Sequence, residues 1–141
     1  MSKNPIKRKN IPPSSSGIKA TKVKSRLLSF SFKYYQDDHP KFNCEGKQEK
    51  YWLVLVKKLK DLSSWTQLDL IQNGNKTLRC HPIDWEDTTE TSFGLKQEDD
   101  LVETPYQFSL SSNEHGRVHG FFIDETFYVV WLDPDHKLYS S

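Results

Sequence analysis

Arg117 and His119 stand two residues apart, ahead of a long apolar run. Asp133, Asp135, His136, Lys137 and Tyr139 cluster just beyond that run. If the first pair lies on a strand, both side chains leave the same face. Arg79 and His81 repeat the two-residue spacing in a second short piece, Leu78 to Ile83. An arginine offers a fork of donors matched to phosphate or carboxylate oxygens. Histidine moves protons near neutral pH. A tyrosine donates a proton or stacks on a base. Each residue also has an ordinary reading. Arg117 can pair with Asp124, Glu125 or Asp133 across a hairpin. His119 can be a half-buried histidine satisfied by a backbone carbonyl. Asp133-Pro134-Asp135-His136 reads as a turn, and Tyr139 as an anchor on a sheet. Asp37-Asp38-His39 precedes Pro40 and reads as a turn rather than a metal site, because no partner ligands sit at a recognised spacing.

These residues need elements to hold them. Gly116 to Leu132 reads as a strand, an acidic turn at Asp124-Glu125, and a second strand from Thr126 that is β-branched and aromatic. So dense an apolar run predicts a strand buried on both faces, with Trp131 in the core. Tyr106, Phe108 and Leu110 alternate in a strand before it, and Leu27 to Tyr35 alternates in a strand near the start. Gln48 to Leu62 predicts a helix with Trp52, Leu55, Val56, Leu59 and Leu62 inward. Ser64 to Gln67 has capping-box spacing for a second helix, with Trp65, Leu68 and Ile71 inward and an end at Asn73-Gly74-Asn75. Asp84 to Glu103 predicts a long acidic loop with at most one turn of helix. The expected fold is α+β, an antiparallel meander sheet of four to five strands with a two-helix hairpin packed on one face.

The chain has 141 residues and a net charge of +1, and its charges are divided unevenly. Residues 1–26 hold eight Lys and Arg and no acid, which leaves 12 bases against 19 acids in the remainder. Residues 1–24 are expected to be a disordered basic arm, able to touch nucleic acid or to act as a solubilising tail, with residues 25–141 a single domain. The body, at −7, repels phosphate unless its cations are gathered locally. No apolar run is long enough for a bilayer and no signal peptide is visible, so no membrane partner and a cytoplasmic location are expected. Cys44 and Cys80 are expected as reduced thiols. No Gly-rich phosphate loop, zinc pattern, nucleophile elbow or paired-carboxylate motif occurs, and no cofactor and no metal are expected.

This order of elements from Leu27 onward resembles the RelE/YoeB group of bacterial toxins, small nucleases that cut messenger RNA. The similarity is closest over Tyr106 to Tyr139. There Arg117, the Asp124-Glu125 turn, the apolar Phe127 to Leu132, His136 and Tyr139 follow the family's closing pattern. The chain departs from the family in its acidic body, its Asp84 to Glu103 loop, and a His136 where arginine is common. The resemblance implies metal-independent cleavage of mRNA, on the ribosome, with a cognate antitoxin protein as partner. It implies Arg117 as the clamp on the scissile phosphate. His136 or His119 would be the base, and Tyr139 the acid or a stacking group. Lys137, Arg79 and His81 would extend an RNA-binding patch.

Two other classes remain. One is a non-enzymatic module that binds a protein or nucleic acid through a strand edge and the arm. The other is a metal enzyme using His39, His81, His119 and His136. What separates the first from a nuclease is whether Arg117, His119, His136 and Tyr139 converge on one face.

Overall fold

A computed structural model describes residues 26–73, 78–112 and 114–139. The expected basic arm, residues 1–24, lies outside them.

The centre is a hairpin. Strands β4 (Arg117–Ile123) and β5 (Thr126–Asp133) pair antiparallel from Arg117 opposite Asp133 to Ile123 opposite Thr126. The turn is Asp124-Glu125, with Asp124 in the left-handed region at φ 53°, which aspartate tolerates better than most side chains. Strand β3 (Pro105–Ser109) pairs antiparallel with β4, and the two-residue β2 (His81–Pro82) pairs antiparallel with β3. Pro82 lacks an N–H and suits this outer edge. These four strands form the expected antiparallel run.

The fifth strand corrects the expectation of a pure meander. β1 (Ser29–Ser31) lies beside β5 and runs parallel to it, giving a mixed sheet in the order β1-β5-β4-β3-β2. Contacts at the hairpin turn mark where β1 begins. Its guanidinium forks onto Glu125 of the hairpin turn at 2.5–2.9 Å, and Ser29 N–H donates to the Glu125 carbonyl. The chain is thus pinned at the turn and leaves along β5. The strand is shorter than expected, because Tyr35 N–H donates to Phe32 O in a turn. Tyr34 then packs on Phe121 and Tyr128.

Both sheet faces are covered. On one face, Phe108, Val118, Phe127, Val129 and Leu132 pack with Tyr51, Leu55 and Leu62 of helix α1 (Glu49–Leu62) and Leu70 of α2 (Gln67–Asn73). On the other, Phe121, Val130 and Trp131 pack with Phe42, Ile83, Phe93 and Leu138. Val130 and Trp131 are consecutive yet share this second core. A bulge makes this possible: His119 faces Trp131 but Gly120 faces Val129, so Val130 is the extra residue. Opposite it the strands close in, and a Cβ on Gly120 would lie 2.0 Å from Tyr128 O. The Asp84 to Glu103 loop holds a 3-10 turn (Trp85–Asp87), the short helix α3 (Glu98–Leu101) and the buried Phe93.

Two helix phases differ from expectation. In α1, Tyr51, Leu55 and Leu62 are buried, whereas Trp52 and Val56 face outward with Leu53. Residues 51–56 are apolar without interruption, so periodicity there cannot fix which side faces the sheet. In α2, Leu70 is buried and Leu68 is 61% exposed. The capping box begins at Thr66, not Ser64: Asp69 N–H donates to Thr66 Oγ1 and Thr66 N–H to Asp69 Oδ2. The expected stop at Gly74-Asn75 lies outside the described residues.

Candidate functional site

The buried polar or charged side chains of the described residues are Gln107, Ser109, His119 and Asp133. All four project from the second face of the sheet. Pairing sets them side by side: His81 faces Gln107, Gln107 faces His119, Ser109 faces Arg117, and Arg117 faces Asp133. The polar row lies under the edge of the second core, where His119 packs against Phe42 and Trp131.

Asp133 organises the row. His119 Nε2 donates to Asp133 Oδ2 at 3.2 Å, Leu138 N–H to the same oxygen at 3.0 Å, and Lys137 N–H to Oδ1 at 2.8 Å. Burial alone pushes the Asp133 carboxyl up, but these hydrogen bonds outweigh it and hold it below the usual aspartate range. Burial pushes His119 down despite the carboxylate, so the ring is neutral. A neutral ring that donates from Nε2 has its lone pair on Nδ1, and Nδ1 has no hydrogen-bond partner. Gln107 Oε1 and Ser109 Oγ are also buried without partners. Together they make a polar floor that water does not reach from outside.

Arg117 sits over this floor, half-buried. Its expected carboxylate partners are all accounted for without it. Glu125 holds Arg26, Asp133 holds His119 and two backbone N–H groups, and Asp124 lies at the far end of the hairpin. Among the described residues Arg117 has no ion pair, only a 3.4 Å bond from Nη1 to Gly116 O. Burial, then the nearby Arg79, lowers its affinity for the proton, while Asp133 and Tyr139 raise it. Arg79 is exposed and takes a left-handed backbone, φ 50°.

His81 is exposed at the edge. Its Nδ1 lies 2.7 Å from Pro82 O and its Nε2 3.0 Å from Gln107 Nε2. Both contacts are satisfied when Nδ1–H donates to the carbonyl and Nε2 accepts from the amide. The Tyr139 ring stands 6.3 Å from His81, and a bridge to Thr88 holds its backbone. Burial, then Asp87 and Asp84, push the Tyr139 phenol up, with Arg117 opposing. Tyr139 is therefore a proton-bearing phenol at neutral pH.

The structure thus brings Arg117, Arg79, His81 and Tyr139 together. It places His119 in the same row, but beneath the surface, with no exposed area. His136 and Lys137 are exposed on the turn after β5, and among the described residues no side-chain hydrogen bond or ion pair joins them to Arg117. Gln107 and Ser109 escaped the sequence reading. In Tyr106 to Leu110 they hold the polar positions of an alternating strand, which normally face solvent. Only the second core, built from loops, buries them.

Among the described residues no group of three His, Cys, Asp or Glu is placed to hold a metal ion. His39 Nδ1 accepts the N–H groups of Lys41 and Phe42, and its ring packs on Phe42 and Trp131, so Asp37-Asp38-His39 is a turn. Cys44 and Cys80 are free thiols, and burial pushes Cys80 up to about 12. No helix among the described residues is long and apolar enough to cross a membrane.

No family model matches this chain, and neither does any curated protein or solved structure.

Proposed function

We propose that the chain is a metal-independent endoribonuclease with Arg117 as its phosphate clamp. The observation that carries this reading is a guanidinium that has no ion pair among the described residues, over a polar floor and beside a second arginine. A half-buried arginine without a carboxylate is poised for an external anion, and a phosphodiester offers the oxygens its fork fits. The groups beside it can move protons. His81, anchored through Nδ1, presents a basic Nε2 once Gln107 gives way, and takes the proton of the attacking 2′-hydroxyl. The O2′–P bond forms as the P–O5′ bond breaks, and the phenol of Tyr139 protonates the departing O5′. Arg79 adds positive charge along the strand, with Lys137 and His136 on the neighbouring turn. His119 is a positioning residue here: it occupies Asp133 and so keeps it from quenching Arg117. The resemblance to the RelE/YoeB toxins makes mRNA on the ribosome the proposed substrate and an antitoxin protein the proposed partner.

The burial of His119, which removes it as a base, favours one other reading, a site that binds phosphate without cutting. Incubation of the purified chain with end-labelled mRNA, in chelator, with and without ribosomes, separates the two. The proposal expects cleavage that Arg117→Ala slows by about 100-fold or more. Retained but intact RNA supports the second reading. Cleavage indifferent to Arg117→Ala overturns the site.

A further inference from the structure

Helix α1 turns an unusual face to solvent. Trp52 is 41% exposed, Leu53 63% and Val56 64%. They form one stripe with the exposed Glu49, Lys57 and Lys60, at the spacing of a helix that packs against another helix. This stripe lies on the side of α1 away from the sheet, and the Arg117 site is on the sheet's other face. Its charge is graded. The amino-terminal end carries Glu49 beside the exposed Lys50, with Asp37, Asp38 and Glu45 around the hollow beside Trp52. The carboxy-terminal half carries Lys57 and Lys60. Lys57 reaches Asp61 at 3.3 Å, but both are well exposed, so this bond is weak and easily exchanged.

We infer that the partner of this face is a second copy of the chain, with the two α1 helices packed antiparallel about a two-fold axis. An axis crossing between Val54 and Leu55 maps Glu49 onto Lys60 of the neighbour. It maps Trp52 onto Lys57 and Leu53 onto Val56. Aliphatic side chains thereby meet at the centre and opposite charges at the two ends, while Trp52 and Lys57 lie on opposite flanks of the contact. The same axis brings the acids around the Trp52 hollow toward the neighbour's lysine-bearing half. A partner of uniform charge would meet like charge at one end of the stripe. A contact made by one face of a single helix gives a dimer that is reversible and depends on concentration.

Sedimentation velocity of the full chain across the micromolar range tests this. The expected result is a concentration-dependent shift from 16.5 kDa to twice that mass. Leu53→Asp should weaken the dimer by about thirtyfold or more. Glu49→Lys and Lys60→Glu should each weaken it by about tenfold, and the two together should restore it, because the swap recreates both pairs. All these positions are exposed, and circular dichroism checks that each variant is folded. A monomer throughout the range overturns the inference. So does a dimer indifferent to Leu53→Asp, or a swapped pair as weak as its single variants.

Discussion

Arg117 faces Asp133 directly across the hairpin, yet the two form no ion pair. Three donors compete for the carboxylate and win: the His119 ring and two backbone N–H groups of the following turn. His119→Leu should remove one of them and let the Asp133 carboxylate turn to Arg117. RNA cleavage should then fall at least about tenfold, and Asp133→Asn in the same background should restore part of it; this comparison separates a quenched arginine from a damaged fold. Stability should fall by about 3 kcal/mol, measured by urea unfolding, because one partner of a buried pair is gone. The pH dependence follows from the same pair. The folded pKa of Asp133 is depressed, so its contribution is full above the unfolded aspartate value and is lost as pH falls through the folded one. His119 is also depressed, so its contribution is full above ~6.5 and is lost in acid as the unfolded chain takes up the proton. His39, lowered by burial, has the same sign. The urea midpoint should drop as pH falls from neutrality through the histidine range and again in the aspartate range. His119→Gln should make the first drop shallower.

At the scale of elements, the closing hairpin was legible in the sequence because its signals agree. β-branched and aromatic residues flank a two-residue acidic turn, and no helix period competes. The bulge at Val130 was not legible, since nothing in Val129-Val130-Trp131 says which residue is extra. It matters for the site, because without the register shift Trp131 and His119 could not both serve the second face. Gly120 is the position that allows it, and Gly120→Ala should cost more than about 4 kcal/mol in thermal or urea unfolding. The phase of α1 was illegible for the opposite reason. Six apolar residues in a row satisfy every phase, and the sheet decided between them. The parallel placement of β1 joins Ser29 to Thr126, 97 positions apart in sequence, a contact that no local pattern announces.

At the scale of the molecule, an acidic body gathers its site cations by sheet pairing rather than by abundance. Arg79 and Arg117 come from separate segments and meet only because β2, β3 and β4 pair in order. Tyr139 joins them because Leu138 is buried in the second core and Asp133 caps the intervening turn. Sequence spacing paired Arg117 with His119 and Arg79 with His81, and the resemblance added His136, Lys137 and Tyr139. Neither could show that His119 faces inward while His81, two residues from Arg79, stays at the edge. Because the site draws on local rather than net charge, RNA binding should weaken with salt by a small slope, reflecting few phosphate contacts. The most direct test is an NMR titration of the chain with an mRNA oligonucleotide carrying 2′-deoxyribose at every position, which binds but cannot be cut. The account predicts saturable shifts at the Arg117 Nε–H and at Arg79, His81 and Tyr139, all lost in Arg117→Ala. Shifts confined to the lysine face of α1, or shifts around Arg117 that persist in Arg117→Ala, would contradict it.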